Sequence, residues 1–397
     1  MADSERAPSS THFWANILRI DGMDERESIL SIALTRLSYF NLAGLLSLYQ
    51  HFGSATEIMN NRAKMPQLLP DMAPRLARSV QDMAQYVAWA EAEWRWCQDN
   101  GVRVLCYADP DYPQRLRECP DAPVVIFHKG TANLNPKRAI SVVGTRRCTP
   151  YGVDIVRRFM ADLRQLCPQV LVVSGLAYGI DIHAHRDALA QGYDTVGVLA
   201  HGLDTLYPSA HRQTAQEMTA HGGLVSEFPM GTNADKRNFV RRNRIIAGLS
   251  DATLLVESST HGGGLITCRI ARDYNRDVFA FPGSVTAESS QGCNNLIRDN
   301  GAALVSSAAD FVNAMGWEDD QKLQGARQKG IERELFPDLS ADEKAVTEAL
   351  TKANDLPISV LSVHANIPVA RLSATLFTLE MKGIVRPLAG GLYHINR

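Results

Sequence analysis

The stretch AISVVGTRRCTPYG, at residues 139–152, indicates the fold of the central part of the chain. It begins with an apolar run typical of a buried strand and continues through a glycine. It ends in Thr149-Pro150, a residue that caps helices followed by a proline suited to a first turn. Apolar side chains then recur at helical spacing at Val153, Val156, Met160 and Leu163. The stretch therefore predicts a strand, a tight turn and an amphipathic helix.

The same strand–turn–helix pattern recurs toward residue 315. The apolar runs of strand length are ISVVG (140–144), VLVVSG (170–175), TVGVLA (195–200), GLVSEF (223–228), ATLLVE (252–257), DVFAF (277–281) and AALV (302–305). Two further candidate strands, VRVLCY and PVVIFHK, precede them. Strands that alternate with helices indicate an α/β fold with an open, doubly wound sheet. We therefore expect an extended Rossmann-like domain at residues 101–315.

The flanking segments have different patterns. Residues 1–27 form a polar lead-in, and residues 28–100 show the apolar spacing of a small helical domain. A charged, weakly periodic linker is expected at 316–339. Residues 340–397 predict three helices followed by a strand–turn–strand, which is the order of a winged-helix domain.

Composition and missing motifs exclude several function classes. The chain has 397 residues and a net charge of −2, and its seven cysteines form no C-x-x-C pair. We therefore expect reduced cytoplasmic thiols, no metal and no membrane span. The sequence lacks a G-x-x-x-x-G-K-[ST] loop, a G-x-G-x-x-G turn after the first strand and a G-x-S-x-G elbow. These absences predict a protein without a cofactor and without catalytic activity.

Three predicted strand-to-helix turns carry glycines and small hydroxyl residues. They are VGTRR (143–147), SGLAYG (174–179) and SSTHGGG (258–264). Such turns meet at the carboxyl edge of a doubly wound sheet, where glycines and free amides admit a phosphate. The candidate phosphate contacts are Gly144, Thr145, Arg146, Arg147, Ser174, Gly175, Gly263 and Gly264. The alternative is that these glycines serve only to make tight turns.

The segment KRNFVRRNR, at residues 236–244, carries five basic side chains in nine residues. On a helix Arg237, Arg241 and Arg244 share one face. Phe239 lies among the cations, and cations beside an aromatic ring are typical of single-stranded nucleic-acid binding. The candidate contacts are Lys236, Phe239, Arg241, Arg242, Asn243 and Arg244. The alternative is a solvated surface helix with Phe239 in the core.

Other titratable residues favour structural roles. His183 and His185 are two positions apart and would not face the same way on a helix, so they do not predict a metal site. Asp181 is expected to cap that helix. Glu227 and Glu257 end predicted strands, and we expect them to orient arginines or to cap helices.

Several long motifs, in order, resemble the DprA (also called Smf) family of DNA-processing proteins. They are ADPDYPQRLRECPDAPVVIF, AISVVGTRRCTPYG, VVSGLAYGIDIHAHRDAL, GVLAHGLDTLYPSAHR, LVSEFPMG, NFVRRNRIIAGLS, GGGLITCRIARDYNRDVFAFPG and GCNNLIRDNGAALV. The resemblance implies a sterile-alpha-motif-like or helix-hairpin-helix-like N-terminal unit, a Rossmann-like domain and a winged helix. It also implies single-stranded-DNA binding, homodimerisation and loading of the RecA recombinase during DNA uptake.

The resemblance implies roles for individual residues. Arg146 and the Ser174-Gly175 turn would contact phosphate, and Lys236 and Phe239 would contact DNA ahead of the RNR motif at residues 242–244. Ile297 and Leu304 would lie in the dimer interface. Two positions depart from the family pattern: Tyr178 replaces an arginine and Cys268 replaces an alanine. The first change removes a possible phosphate contact, although a tyrosine can stack or donate.

Two other functions remain open. A nucleotide-cleaving enzyme of the lysine-decarboxylase-like type would use residues 262–264 for phosphate and Glu257 as an acid or base, but its P-G-G-x-G-T motif is absent. A double-stranded-DNA regulator would act through the winged helix. That unit has few basic residues: Lys344, Lys352, Arg371, Lys382, Arg386 and Arg397.

Overall fold

A computed structural model describes residues 25–37, 42–70, 72–317, 339–353, 355–382, 384–388 and 391–395. Most of the expected lead-in (1–27) and of the expected linker (316–339) therefore lies outside the described residues. The chain divides into two compact units, Met1–Glu318 and Asp319–Arg397. No single described helix is both long enough and apolar enough to cross a membrane. The helices Ile358–Ala365 and Val369–Met381 have the required length and apolarity only when taken together, and they are bent by 98° relative to each other.

The first unit is built around a nine-stranded sheet with the order β1-β2-β6-β5-β4-β3-β7-β8-β9. Strands β3 to β9 run parallel to one another, whereas β2 is antiparallel to both β1 and β6. The strands are β1 Arg103–Cys106, β2 Val125–Gly130, β3 Ala139–Val143, β4 Leu171–Ser174, β5 Thr195–Val198, β6 Gly222–Ser226, β7 Ala252–Leu255, β8 Asp277–Ala280 and β9 Ala303–Leu304. The predicted α/β fold and all nine predicted strands are confirmed.

Among the described residues, six α-helices precede the sheet: α1 Glu25–Thr35, α2 Leu42–Phe52, α3 Ala55–Asn61, α4 Met65–Leu68, α5 Pro74–Gln81 and α6 Val87–Asp99. Their apolar residues share one core with β1 and β2, through Cys106 and Phe127 among others. Glu27 is buried there and accepts hydrogen bonds from the backbone nitrogens of Ala55 (2.6 Å) and Thr56 (2.9 Å). It thereby satisfies amide groups at the start of α3 that have no partner within the helix.

In the part of the first unit that the structure describes, eight α-helices connect or follow the strands of the sheet. They are α7 Gln114–Arg117, α8 Pro150–Leu166, α9 Ile180–Ala190, α10 Arg212–Ala220, α11 Lys236–Gly248, α12 Gly263–Asp273, α13 Glu288–Arg298 and α14 Ala308–Ala314. Helices α8, α9 and α14 bury apolar residues on one face of the sheet, and α11, α12 and α13 on the other. A parallel sheet covered on both faces explains why its strands read as continuous apolar runs.

The second unit contains α15 Ala341–Lys352, α16 Ile358–Ala365 and α17 Val369–Met381. Its small sheet has the order β10-β12-β11, from β10 Leu356–Pro357, β11 Val385–Leu388 and β12 Leu392–Ile395. Ser340 and Glu343 form a reciprocal capping box at the start of α15. Three helices followed by a β-hairpin confirm the predicted winged helix.

A buried carboxylate fixes α11 to the sheet. Glu227 follows β6, and its Oε2 accepts hydrogen bonds from Nη2 of Arg241 (2.7 Å) and Nη2 of Arg244 (2.5 Å). Burial alone would lower the pKa of Arg244, but the facing carboxylates of Glu227 and Asp121 raise it overall. The expectation that Glu227 orients arginines is therefore confirmed.

We expect Glu227→Gln to lower the free energy of unfolding by about 3–5 kcal/mol, because it leaves buried guanidinium groups without their countercharge. Urea denaturation followed by circular dichroism measures this loss.

Glu118→Gln is the matched control, because Glu118 also pairs with an arginine, Arg276, at 2.6 Å. Its side chain is 67% exposed, against 1% for Glu227. The control should cost at most about 1 kcal/mol. Equal losses in the two variants would contradict a special role for the Glu227 pair.

Candidate nucleic-acid interface

The topology of the sheet creates a crevice at the carboxyl ends of β3 and β7. From β3 the chain moves outward through β4, β5 and β6, and then returns to place β7 on the other side of β3. Open α/β sheets bind ligands at such a switch point. A cavity of about 590 Å³ lies there, between the turns after β3 and β7 and the start of α11. Its lining includes nine of the candidate residues: Gly144, Thr145, Arg146, Lys236, Phe239, Arg242, Asn243, Gly263 and Gly264.

Glycine occupies these positions of the cavity lining for two different reasons. A Cβ atom on Gly144 would lie 2.5 Å from Cγ1 of Ile180, and one on Gly264 would lie 2.8 Å from Cδ1 of Leu255. Close packing therefore requires these two glycines, which is a structural reason other than the tight turns of the alternative. Around Gly263 a Cβ atom would meet nothing within 4 Å. Its backbone, at the first position of α12, therefore opens onto the cavity.

An aromatic ring lies among cations at the mouth of the cavity. Phe239 is half-buried and lines the cavity, so it is not a core residue. The guanidinium carbon of Arg146 lies 4.7 Å from the centroid of its ring, within cation–π range. Arg146 and Lys236 are exposed, and no ion pair joins either of them to a carboxylate of the described chain within 4.0 Å. These side chains are free to meet an anion.

Arg242 forms the floor of the cavity. It is 3% exposed, and its Nη1 donates a hydrogen bond of 2.7 Å to the carbonyl oxygen of Val198. Burial lowers the pKa of Arg242 to about 10, an effect that Asp181 opposes and Arg146 reinforces. The guanidinium group thus remains charged at neutral pH. Burial also raises the pKa of Asp181, against the influence of Arg242.

The structure does not bring Ser174 and Gly175 to the cavity surface. Ser174 is fully buried, and its hydroxyl donates a hydrogen bond of 2.6 Å to the carbonyl oxygen of Val142. A Cβ atom on Gly175 would lie 1.9 Å from Nη1 of Arg242. The glycine is needed because it leaves room for that buried guanidinium.

The structure corrects the expectation that Arg237, Arg241 and Arg244 form one basic face of α11. Arg237 is exposed, but Arg244 is 4% exposed, and both Arg244 and Arg241 are turned to Glu227. A helical projection places these arginines on one face, whereas the buried carboxylate of Glu227 draws two of them against the protein. Arg147 is exposed and lies outside the cavity lining.

Two further residues that line the cavity, Asp181 and Tyr207, were not among the predicted contacts. Asp181 was expected to cap α9, but the helix begins at Ile180, after Gly179 in the cap position. The carboxylate instead lies in the first turn, near Arg242. Tyr207 is 50% exposed, and its ring centroid lies 5.9 Å from that of Phe239. Its motif, GLDTLYPSAHR, carries no local signal that points to this contact.

The remaining titratable candidates have structural contacts. His185 is buried with its Nδ1 2.7 Å from Oγ1 of Thr195, and burial lowers its pKa to about 3. Glu257 accepts hydrogen bonds from the backbone nitrogen (2.8 Å) and the hydroxyl (2.7 Å) of Thr149, the cap residue of α8. The expectation that Glu257 serves a helix cap is confirmed. Within the described ranges no three His, Cys, Asp or Glu residues come together as a metal site would require.

Comparisons with known proteins agree with this architecture. The family model for DNA recombination-mediator protein A matches residues 103–316, and the model for the DprA winged helix domain matches residues 334–391. Protein Smf of Synechocystis sp. is 32% identical over 324 residues, which cover 75% of this chain and 81% of that protein. The putative DNA processing protein DprA of Mycobacterium tuberculosis is 36% identical over 302 residues, which cover 72% of this chain and 75% of that protein.

A solved structure gives the same result. The X-ray structure of DNA processing protein A from Streptococcus pneumoniae matches with a TM-score of 0.59 and 32% identity, over 71% of this chain and 95% of that one. The first family model spans more than half of the sequence, and both relatives exceed 30% identity over more than two thirds of it. The chain therefore belongs to the DprA/Smf family of DNA-processing proteins.

Proposed function

We propose that this protein binds single-stranded DNA at the cavity between β3, β7 and α11. The observation that carries the proposal is the half-buried ring of Phe239 beside the exposed cations Arg146 and Lys236. Cations that follow a backbone, combined with a ring on which a base can stack, are what single-stranded nucleic acid requires. A paired base is already stacked on both faces, so the ring favours unpaired strands.

The cavity can hold a phosphate by several routes. Arg146 presents a planar fork that matches phosphate oxygens, and Lys236 adds a point charge. The start of α12 offers the backbone nitrogen of Gly263, whose surroundings are open. The buried guanidinium group of Arg242 adds positive electrostatic potential at the floor of the cavity. None of these contacts reads a base edge, so we expect little sequence preference.

We propose binding without catalysis. The cavity is lined by two carboxylates, Asp181 and Asp235. Asp235 caps α11 by accepting a hydrogen bond of 2.8 Å from the backbone nitrogen of Asn238, and Asp181 faces Arg242. The Glu257 carboxylate, which a nucleotide-cleaving mechanism would need, is 1% exposed and bonded to Thr149. These structural contacts of Asp181, Asp235 and Glu257 support binding rather than catalysis.

The winged-helix unit supports a role other than binding duplex DNA. Arg371 is paired with Asp342, and Lys382 donates a hydrogen bond of 2.8 Å to Glu343. Two of the few cations of this unit are thus neutralised within it. Phe377, on α17, is 64% exposed, which suits contact with a protein better than contact with phosphates.

A second copy of the chain is the proposed partner of the β9 edge. This strand ends the sheet at the β8 side, and its Leu304 is 53% exposed. Ile297, on the neighbouring helix α13, is half-buried. An open strand edge with an apolar side chain invites pairing, and a dimer would cover it.

We further propose that the bound strand is passed to the RecA recombinase in the cytoplasm. The matching family model describes recombination mediators, which supports this partner. All seven cysteines are free thiols, which suits a reducing compartment.

We expect Arg146→Ala and Lys236→Ala each to weaken binding to oligo-dT, and each to lower the slope of log affinity against log salt by about 0.7. The slope falls because binding releases fewer counterions from the DNA when one phosphate contact is lost. Fluorescence anisotropy at several salt concentrations measures both effects.

Arg95→Ala is the matched control, since Arg95 is 69% exposed and lies on α6, outside the cavity. It should leave affinity and slope unchanged. An unchanged slope in the cavity variants would place the DNA elsewhere, and no binding by the wild type would exclude the proposed function.

Leu304→Asp is expected to raise the dimer dissociation constant about tenfold or more, because association would bury an unpaired charge. Sedimentation velocity measures the change. Leu68→Asp, at a leucine on α4 that is 45% exposed, should leave the association state as it is. A dimer of wild-type stability in the Leu304 variant would contradict the proposed interface.

The RecA step is tested on single-stranded DNA coated with single-strand-binding protein. The wild type should shorten the lag before DNA-dependent ATP hydrolysis by RecA, and the Arg146→Ala/Lys236→Ala double variant should not. Equal lags with and without the wild-type protein would show that it does not load the recombinase.

A further inference from the structure

We propose that Tyr207 and Tyr178 continue the stacking surface beyond the cavity, so that a second unpaired base of the same DNA strand lies on Tyr178. The proposal rests on the proposed single-stranded-DNA binding and names two further residues for it. We call the surface formed by Phe239, Tyr207, His211 and Tyr178 the aromatic rim.

The rings of the aromatic rim form two contacting pairs joined by one short segment. Phe239 and Tyr207 meet edge to face with centroids 5.9 Å apart, and Tyr178 and His211 do so at 4.9 Å. Tyr207 and His211 are separated by only three residues. The rim therefore leads from the cavity, which Tyr207 itself lines, to the turn that follows β4.

The two tyrosines are the most exposed rings of the aromatic rim. Tyr178 is 47% exposed and Tyr207 is 50% exposed, whereas His211 is 4% exposed. His211 cannot take a base, and its ring instead packs edge to face against that of Tyr178. Large aromatic side chains usually bury most of their surface, so two half-exposed tyrosines beside a cationic cavity mark a surface for a planar ligand.

Buried histidines hold the rim in place. Nε2 of His201 accepts a hydrogen bond of 3.1 Å from the backbone nitrogen of Tyr207, which leaves the proton on Nδ1, 2.8 Å from the carbonyl oxygen of Gly202. Nδ1 of His211 lies 2.9 Å from the carbonyl oxygen of Leu176, two residues before Tyr178. Burial lowers the pKa of His211, which favours the neutral ring. Rings fixed before binding lose little conformational freedom when a base stacks on them.

Cations accompany the rim and indicate that its ligand is a nucleic acid. Arg212 follows His211 directly and is exposed. Arg186 is also exposed; its Nε donates a hydrogen bond of 3.2 Å to Oγ1 of Thr214, on the helix that Arg212 begins. Stacking rings flanked by arginines repeat the arrangement of Phe239 and Arg146 in the cavity.

The test is the affinity of Tyr178→Ala for a labelled 20-nucleotide oligo-dT, measured by anisotropy. We expect a loss of about 5- to 150-fold, which corresponds to the 1–3 kcal/mol that stacking of one base contributes. The salt slope should equal that of the wild type, because a stacked base releases no counterions. Tyr178→Phe should bind like the wild type, and on an oligonucleotide of abasic sites Tyr178→Ala and the wild type should bind equally.

Tyr151→Ala is the matched control, because Tyr151 is 45% exposed and lies in the first turn of α8, outside the rim. Equal losses in the Tyr151 and Tyr178 variants would overturn the proposal, as would a lowered salt slope for Tyr178→Ala. If Tyr178→Ala binds like the wild type while Arg146→Ala is impaired, the cavity is the DNA site and the rim is not. If the wild type binds no oligo-dT, the proposed function itself fails.

Discussion

The placement of the candidate site depends on one buried guanidinium group, that of Arg242. Removing a charge from water costs several kcal/mol unless the group is paired and hydrogen-bonded. Arg242 meets this requirement only where the carbonyl oxygen of Val198, the carboxylate of Asp181 and the space above Gly175 come together. The end of β5, the start of α9 and the turn after β4 must therefore adopt their observed positions around α11. With Glu227 holding the next turn of the helix, Lys236 and Phe239 are presented at the carboxyl edge of the sheet.

Much of this architecture follows from local patterns in the sequence. Strands such as Ala139–Val143 are buried along their whole length, so their apolar runs are uninterrupted and easily recognised. The cap and proline at Thr149-Pro150 mark the start of α8 correctly. Parallel strands bring their carboxyl ends to one edge, which is why turns at residues 143–147 and 258–264 could be predicted to meet. The topology of the sheet therefore determines most of the cavity lining before any side-chain contact is known.

What could not be predicted depends on contacts between distant parts of the chain. The sequence predicts Arg241 and Arg244 as surface cations, because nothing within α11 indicates that the carboxylate of Glu227 lies against them. Asp181 is expected to cap α9 from the sequence, but the cap position is taken by Gly179. This glycine has a φ of +77°, and a Cβ atom added to it would clash with the carbonyl oxygen of Thr145. Tyr207 reaches the cavity because a buried histidine anchors its loop. Periodicity reports which face of a helix is apolar, but it does not report the partner that a polar side chain finds across the fold.

Photocrosslinking with an oligo-dT that carries 5-iododeoxyuridine tests most directly whether the carboxyl edge of the sheet holds the DNA. The full-length protein is irradiated with the oligonucleotide, digested, and the crosslinked peptides are identified by mass spectrometry. Stacking of an unpaired base on the ring of Phe239 predicts crosslinks in the peptide that contains residues 236–244 or in the one that contains Tyr207. Crosslinks confined to the winged-helix unit, at residues 340–397, would contradict a DNA site in the cavity.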